Sequence, residues 1–129
     1  WFWAGAVTNG QTIFAPNMNG KIYALDLEGN LEWEHYAGSS IVSPPVLMPK
    51  GLVVVNKQGK LSLLDVSPNA GAQREISSLK LGDAEVKAPL FAVGESVYVG
   101  SQDSTVRRVE VKSGPVVMWC RHTEDGRCN

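Results

Sequence analysis

The side chains that could do chemistry in this chain are few and scattered. Cys120 and Cys128 stand near the C-terminus in WCRHTEDGRC, with His122 between them. A loop of that length containing Gly126 can bring its ends together, so an oxidising compartment admits a disulfide. Two free thiols are the alternative. A metal site is a third reading, but Cys120, His122 and Cys128 are only three local ligands, in an order unlike the paired spacings of zinc sites, and need a fourth from elsewhere. Asp83 and Glu85, followed by Lys87, offer two carboxylates ahead of a strand. Calcium takes about six or more oxygens, so a solvated loop is the better reading. His35 reads as an outer-edge residue, since a lone histidine without a convergent nucleophile makes no case for acid–base chemistry. Arg107 and Arg108 form the one basic pair inside a strand pattern, VRRVEV, where Glu110 is placed to pair with one of them on the same face. Lys21, Lys57 and Lys60 sit at turns and read as solvated caps. The residues alone therefore assign no catalytic, cofactor-binding or metal-binding position.

Bulk properties exclude whole classes. The 129 residues carry 12 Lys plus Arg against 13 Asp plus Glu, a formal net charge of −1. That balance gives no general attraction to nucleic acid or anionic lipid. No run approaches the roughly 18 apolar residues of a membrane-spanning helix. The opening WFWAGAV has neither an initiator Met nor a basic stretch, and a strand pattern is already running, as in an excised piece. Trp1, Phe2 and Trp3 must be covered or they form an adhesive patch.

The elements that position these residues are short strands. Tyr23 to Trp33, YALDLEGNLEW, reads as a hairpin: Asp26 bonds nearby backbone through its side chain, Gly29 takes positive φ, and Trp33 is a large apolar anchor. Upstream lie strands Gly5 to Val7 and Thr12 to Ala15, then Lys21 to Leu25 and Leu31 to His35, separated by Asn9-Gly10 and Asn19-Gly20. Pro16 follows its strand and limits it. The pattern returns as Ile41 to Leu47, Leu52 to Val55, Leu61 to Asp65 and Arg74 to Lys80, with Ser67 to Gln73 as an insertion and no clear occupant for the tryptophan position. It returns again as Val86 to Ala92, Ser96 to Val99, Val106 to Glu110 and a hairpin in which Gly114 and Trp119 stand for Gly29 and Trp33. Pro44, Pro45 and Pro89 fall near the starts of first strands, where a lost N–H is tolerated. Runs such as LVVV and SVYV are apolar on both sides, as in a sheet covered on both faces. Four-stranded repeats of about 40 to 50 residues signal an all-β propeller, one blade per repeat.

At Ala24, Asp26, Gly29 and Trp33 the chain resembles the PQQ-like β-propeller repeat, with Glu28 in place of the family's Thr. The third copy keeps Gly114 and Trp119, with Glu110 for Asp and Val109 for Ala; the second keeps Asp65 alone. The resemblance implies three blades of four antiparallel strands, about 1–37, 38–81 and 82–122, with a tail at 123–129. These form a partial propeller or half of a six-bladed ring, and Trp33 docks between blades. Family members include quinoprotein dehydrogenases that bind pyrroloquinoline quinone (PQQ) and calcium. Others are non-catalytic envelope proteins such as the assembly lipoprotein BamB, and sensor domains of membrane kinases. The resemblance thus implies an extracytoplasmic, periplasmic setting and a non-catalytic scaffold or platform for proteins or peptides that needs no cofactor. A fragment of a PQQ-dependent dehydrogenase, with PQQ and calcium, and a ligand-sensing domain are the alternatives. Further blades, or a homodimer that closes six, would complete the arc.

Overall fold

The structure, a computed structural model, describes residues 5–41, 43–67, 74–81, 86, 90–100, 105–111 and 116–122, with backbone alone at 116–119 and 122. Among these there is no helix. The strands are β1 (Val7–Thr8), β2 (Thr12–Pro16), β3 (Lys21–Asp26), β4 (Leu31–Tyr36), β5 (Val46–Met48), β6 (Gly51–Val55), β7 (Lys60–Leu64), β8 (Glu75–Lys80), β9 (Phe91–Val93), β10 (Ser96–Gly100), β11 (Thr105–Glu110) and β12 (Val116–His122). They form three four-stranded antiparallel sheets, β1 to β4, β5 to β8 and β9 to β12, each strand beside its sequence neighbour. Short turns join most consecutive strands within a sheet and favour the pairing of sequence neighbours, the longer β7–β8 connection excepted.

The registers repeat from sheet to sheet. Phe14 faces Ala24 in the first sheet, Val53 faces Leu63 in the second, and Tyr98 faces Arg108 in the third. Each outer pair then slips by one residue, after Ala24, Leu63 and Arg108 respectively. A bulge there inserts one extra residue and adds local twist to the outer strand. The extra residues are Glu32, Ile76 and Met118.

Two apolar seams hold the sheets together. Phe14, Ile22, Ala24 and Trp33 of the first sheet, with Ile41 of the following linker, bury against Leu52, Val54 and Leu64 of the second. The alternate residues of that second sheet, Val53, Val55, Leu61 and Leu63, bury against Val97, Val99 and Val109 of the third. Every residue of β6 is buried, which is why its run is apolar throughout rather than alternating. Gly51 opens β6 at φ 146°, and a Cβ there would lie 2.3 Å from the Leu64 carbonyl oxygen, so only glycine fits.

The innermost strands differ from the sequence reading. The expected Gly5 to Val7, Ile41 to Leu47 and Val86 to Ala92 become β1, β5 and β9 of two or three residues each. Ile41 and Val86 are instead buried ahead of their strands, and Pro44 and Pro45 supply no N–H to a ladder. Pro16, expected after its strand, is the last residue of β2 and registers with Ile22. Trp1, Phe2, Trp3, Asp83, Glu85, Lys87, Pro89, Gly114 and the 103–104 turn lie outside the described residues.

Candidate functional site

Polar groups converge at the outer end of the first seam. Asp26 caps the β3–β4 turn: its Oδ1 accepts from the Glu28 and Asn30 amides at 3.0 and 2.8 Å, and its Oδ2 from Asn30 Nδ2. Those bonds, the Asn30 amide first, hold the carboxyl below its ordinary range. Gly29 sits at φ 91° and donates its N–H to the Asp26 carbonyl. The turn delivers Trp33 opposite Ala24, whose small side chain leaves room for the ring. Trp33 packs on Phe14, with ring centroids 5.8 Å apart. From the second sheet, Arg74 lies over the same indole, its Cζ 4.0 Å from the ring centroid. Arg74 is 3% exposed, and its Nη1 donates to the carbonyls of Asp65 and Ser67. A desolvated cation stacked on an indole is worth about 2 kcal/mol.

Beside this stack, Glu75 accepts from Lys60 Nζ at 2.9 Å and from Ser62 Oγ at 3.1 Å. The Lys60 bond leads in holding the Glu75 carboxyl below its ordinary range, with burial opposing. His35 reaches the same rim from β4. Burial pushes its pKa down, the Glu75 charge raises it, and Lys60 and Arg74 lower it further. The hydrogen bonds and the ion pair each stay within one sheet or turn, and the Arg74–Trp33 stack is the contact of this cluster that crosses from one sheet to the next. Sequence reasoning missed Arg74 because its contact crosses from one repeat to the next.

At the other end of the strands, two turns are built alike. The Asn17 amide donates to the Lys21 carbonyl and the Asn56 amide to the Lys60 carbonyl, at 2.9 and 3.0 Å. Asn17 Oδ1 accepts from the Asn19 amide, and Asn56 Oδ1 from those of Gln58 and Lys60. Asn56 Nδ2 crosses to the Ala37 carbonyl at 2.8 Å. The Lys57 peptide holds both linkers, its N–H on the Ser40 carbonyl and its C=O on the Val86 amide. These turns are rigid supports for the exposed side chains Asn19 and Gln58. The signal is present in the sequence as Asn-x-(Asn/Gln)-Gly-Lys at 17–21 and 56–60.

The remaining expectations resolve individually. Arg108, not Val109, holds the place of Ala24, since it registers with Trp119 as Ala24 does with Trp33. Ser77 holds the tryptophan place in the second sheet, opposite Leu63, and its buried Oγ has no hydrogen-bond partner. Arg108 Nε donates to Ser96 Oγ rather than pairing with Glu110. Lys21 and Lys60 are not simply solvated; each forms an ion pair, with Glu34 and Glu75 respectively. Cys120 is disulfide-bonded, and Cys128 lies outside the described residues. Among the described residues no three His, Cys, Asp or Glu side chains converge as a metal site.

Solved structures with this stacking of sheets share one architecture. BamB from Moraxella catarrhalis superposes with a TM-score of 0.73 at 20% identity, over 94% of this chain and 37% of its own. The computationally designed Ika8 protein superposes at 0.79 and 17%, over 98% and 38%. Quinohemoprotein alcohol dehydrogenase from Comamonas testosteroni gives 0.73 and 13%, over 93% and 21%. The fold is a β-propeller. The three sheets are its blades, in a chain that spans roughly a fifth to two fifths of these proteins' lengths. No family model matches the sequence, and no curated relative does. Identities this low carry the fold and nothing finer. No helix among the described residues is long and apolar enough to cross a membrane.

Proposed function

We propose that this chain is a three-repeat segment of a non-catalytic β-propeller that serves as a scaffold or binding platform for proteins or peptides in a bacterial cell envelope. The observation that carries the reading is the pair of turns at Asn17–Lys21 and Asn56–Lys60, pinned by their own side chains and by the linkers. Rigid turns side by side make a recognition surface with little ordering cost. The likeness to BamB supports it. A Cys120–Cys128 disulfide fits an extracytoplasmic setting. The repeats would run about 1–37, 38–81 and 82–122, with the open ends of the arc covered by further sheets.

The likeness to a quinohemoprotein dehydrogenase supports a second reading, a piece of a PQQ-dependent enzyme. One experiment separates them. The purified chain is titrated with PQQ and calcium and followed by absorbance, and in parallel is immobilised and exposed to an envelope extract. The platform predicts no calcium-dependent quinone uptake, and capture of proteins that is lost when Asn19 and Gln58 are changed to Arg. Saturable, calcium-dependent uptake, or capture indifferent to the turns, would overturn it.

A further inference from the structure

The chain contains two Asn-Gly steps, Asn9-Gly10 and Asn19-Gly20. An asparagine followed by glycine is prone to close on itself, because no Cβ on the next residue hinders attack of that residue's backbone nitrogen on the amide carbon. Both asparagines are exposed, and their side chains are held alike. Asn9 Oδ1 accepts from the Gln11 and Thr12 amides at 2.9 Å each, and Asn19 Oδ1 accepts from the Lys21 amide at 2.9 Å. The glycines differ. Gly10 is exposed in the turn between β1 and β2, a Cβ on it would meet nothing within 4 Å, and its N–H donates to the hydroxyl of exposed Thr8. Gly20 is buried in the turn between β2 and β3. Its N–H donates to the Asn17 carbonyl at 3.0 Å, and its C=O accepts from the Ala37 amide at 2.7 Å. A Cβ there would lie 2.6 Å from the Tyr36 ring and 2.9 Å from the Ser39 carbonyl oxygen. The Asn19 side-chain nitrogen is held as well, donating to the Tyr23 hydroxyl at 2.9 Å.

We propose that Asn9-Gly10 is a site of spontaneous deamidation and that the fold spares the same dipeptide at Asn19-Gly20. Solvent base takes the Gly10 N–H proton, and the nitrogen attacks Asn9 Cγ. The Cγ–Nδ2 bond breaks, ammonia leaves with a proton from water, which regenerates the base, and a cyclic imide remains. Water then adds to either imide carbonyl and opens the ring to aspartate or isoaspartate. Closing the ring requires the glycine peptide to swing toward the side chain. At Gly10 that motion exchanges an exposed hydroxyl for water. At Gly20 it breaks two backbone hydrogen bonds in a buried place, where the freed groups go unsatisfied. The product bears on blade one, since β1 registers with β2 only at Val7–Phe14 and Thr8–Ile13, and isoaspartate lengthens the main chain of the turn that joins them. This turn lies at the opposite end of β2 from Asn17–Lys21, so the inference stands apart from the platform reading.

The test incubates the 129-residue chain in mildly alkaline buffer, folded and in urea, and follows the tryptic peptide 1–21, which carries both asparagines, by fragment-ion mass spectrometry. The folded chain should lose the Asn9 amide while Asn19 is retained, and isoaspartyl methyltransferase should label the product at Asn9. In urea the two amides should be lost at similar rates. Equal loss in the folded chain, or loss at Asn19 first, would overturn the proposal. So would an intact Asn9 in the folded chain. A lead for Asn9 that is just as large in urea would overturn it too, because the difference would then belong to the neighbouring residues and not to the fold.

Discussion

Trp33 and Arg74 show how one residue from each of two blades fixes their spacing. The indole is 9% exposed and the guanidinium above it is nearly buried, so truncation leaves both a cavity and an unstacked cation. Trp33→Ala is expected to cost about 3–5 kcal/mol in denaturant melts, and a loss under roughly 1 kcal/mol would remove the tryptophan from the seam. Ser77 tests the opposite case. Its buried hydroxyl has no partner, so Ser77→Ala should stabilise the protein by about 1 kcal/mol, the lower end of the penalty for an unsatisfied buried group. A loss of that size would mean the hydroxyl is bonded after all. His35 gives the seam a pH dependence. Burial lowers its pKa from the ordinary 6.5, so the unfolded chain takes the proton more readily than the folded one. Its contribution is then complete above 6.5 and is lost as pH falls below that value. Urea midpoints measured from about pH 7.5 down to pH 5.5 should fall, and His35→Gln should flatten the fall. An equal slope in the variant would contradict this. Glu75 acts in a lower window, since its carboxyl is held below the ordinary 4.5 and its contribution goes only as the pH falls through that range.

Among the elements, the middle strands were the most legible. β2, β3, β6, β7, β10 and β11 could be read from apolar runs bounded by Asn-Gly, Gln-Gly and Asp-containing turns, and the runs are least interrupted in β6 and β7, where both faces are covered. The innermost strands were not, because Ile41 and Val86 mimic strand residues while burying in linkers, and prolines shorten the ladder. The site was less legible than the fold. Asp26, Gly29 and Trp33 lie within one hairpin, where spacing in sequence reflects distance in space. Arg74 on Trp33, and Asn56 on Ala37, join successive repeats, and no local pattern encodes such a contact. Arg108 at the place of Ala24 is legible from spacing, since it stands two residues before Glu110 as Ala24 does before Asp26.

As a whole molecule, the chain is an arc in which blade two is covered on both faces, while among the described residues blades one and three are each covered on one. The described ion pairs, Lys21–Glu34 and Lys60–Glu75, each join two strands of one sheet, and the turns at one end carry the exposed side chains of Asn19 and Gln58. Blade two belongs to both apolar clusters, so it should be fully exposed only when both seams fail. Amide hydrogen exchange, read residue by residue, tests that most directly. The account predicts that β6 and β7 amides exchange slowest and only through global unfolding, with denaturant sensitivity equal to that of the whole chain. Exchange of β6 and β7 as fast as that of the outer strands β4 and β8 would contradict it, because the sheets would then not be stacked as blades.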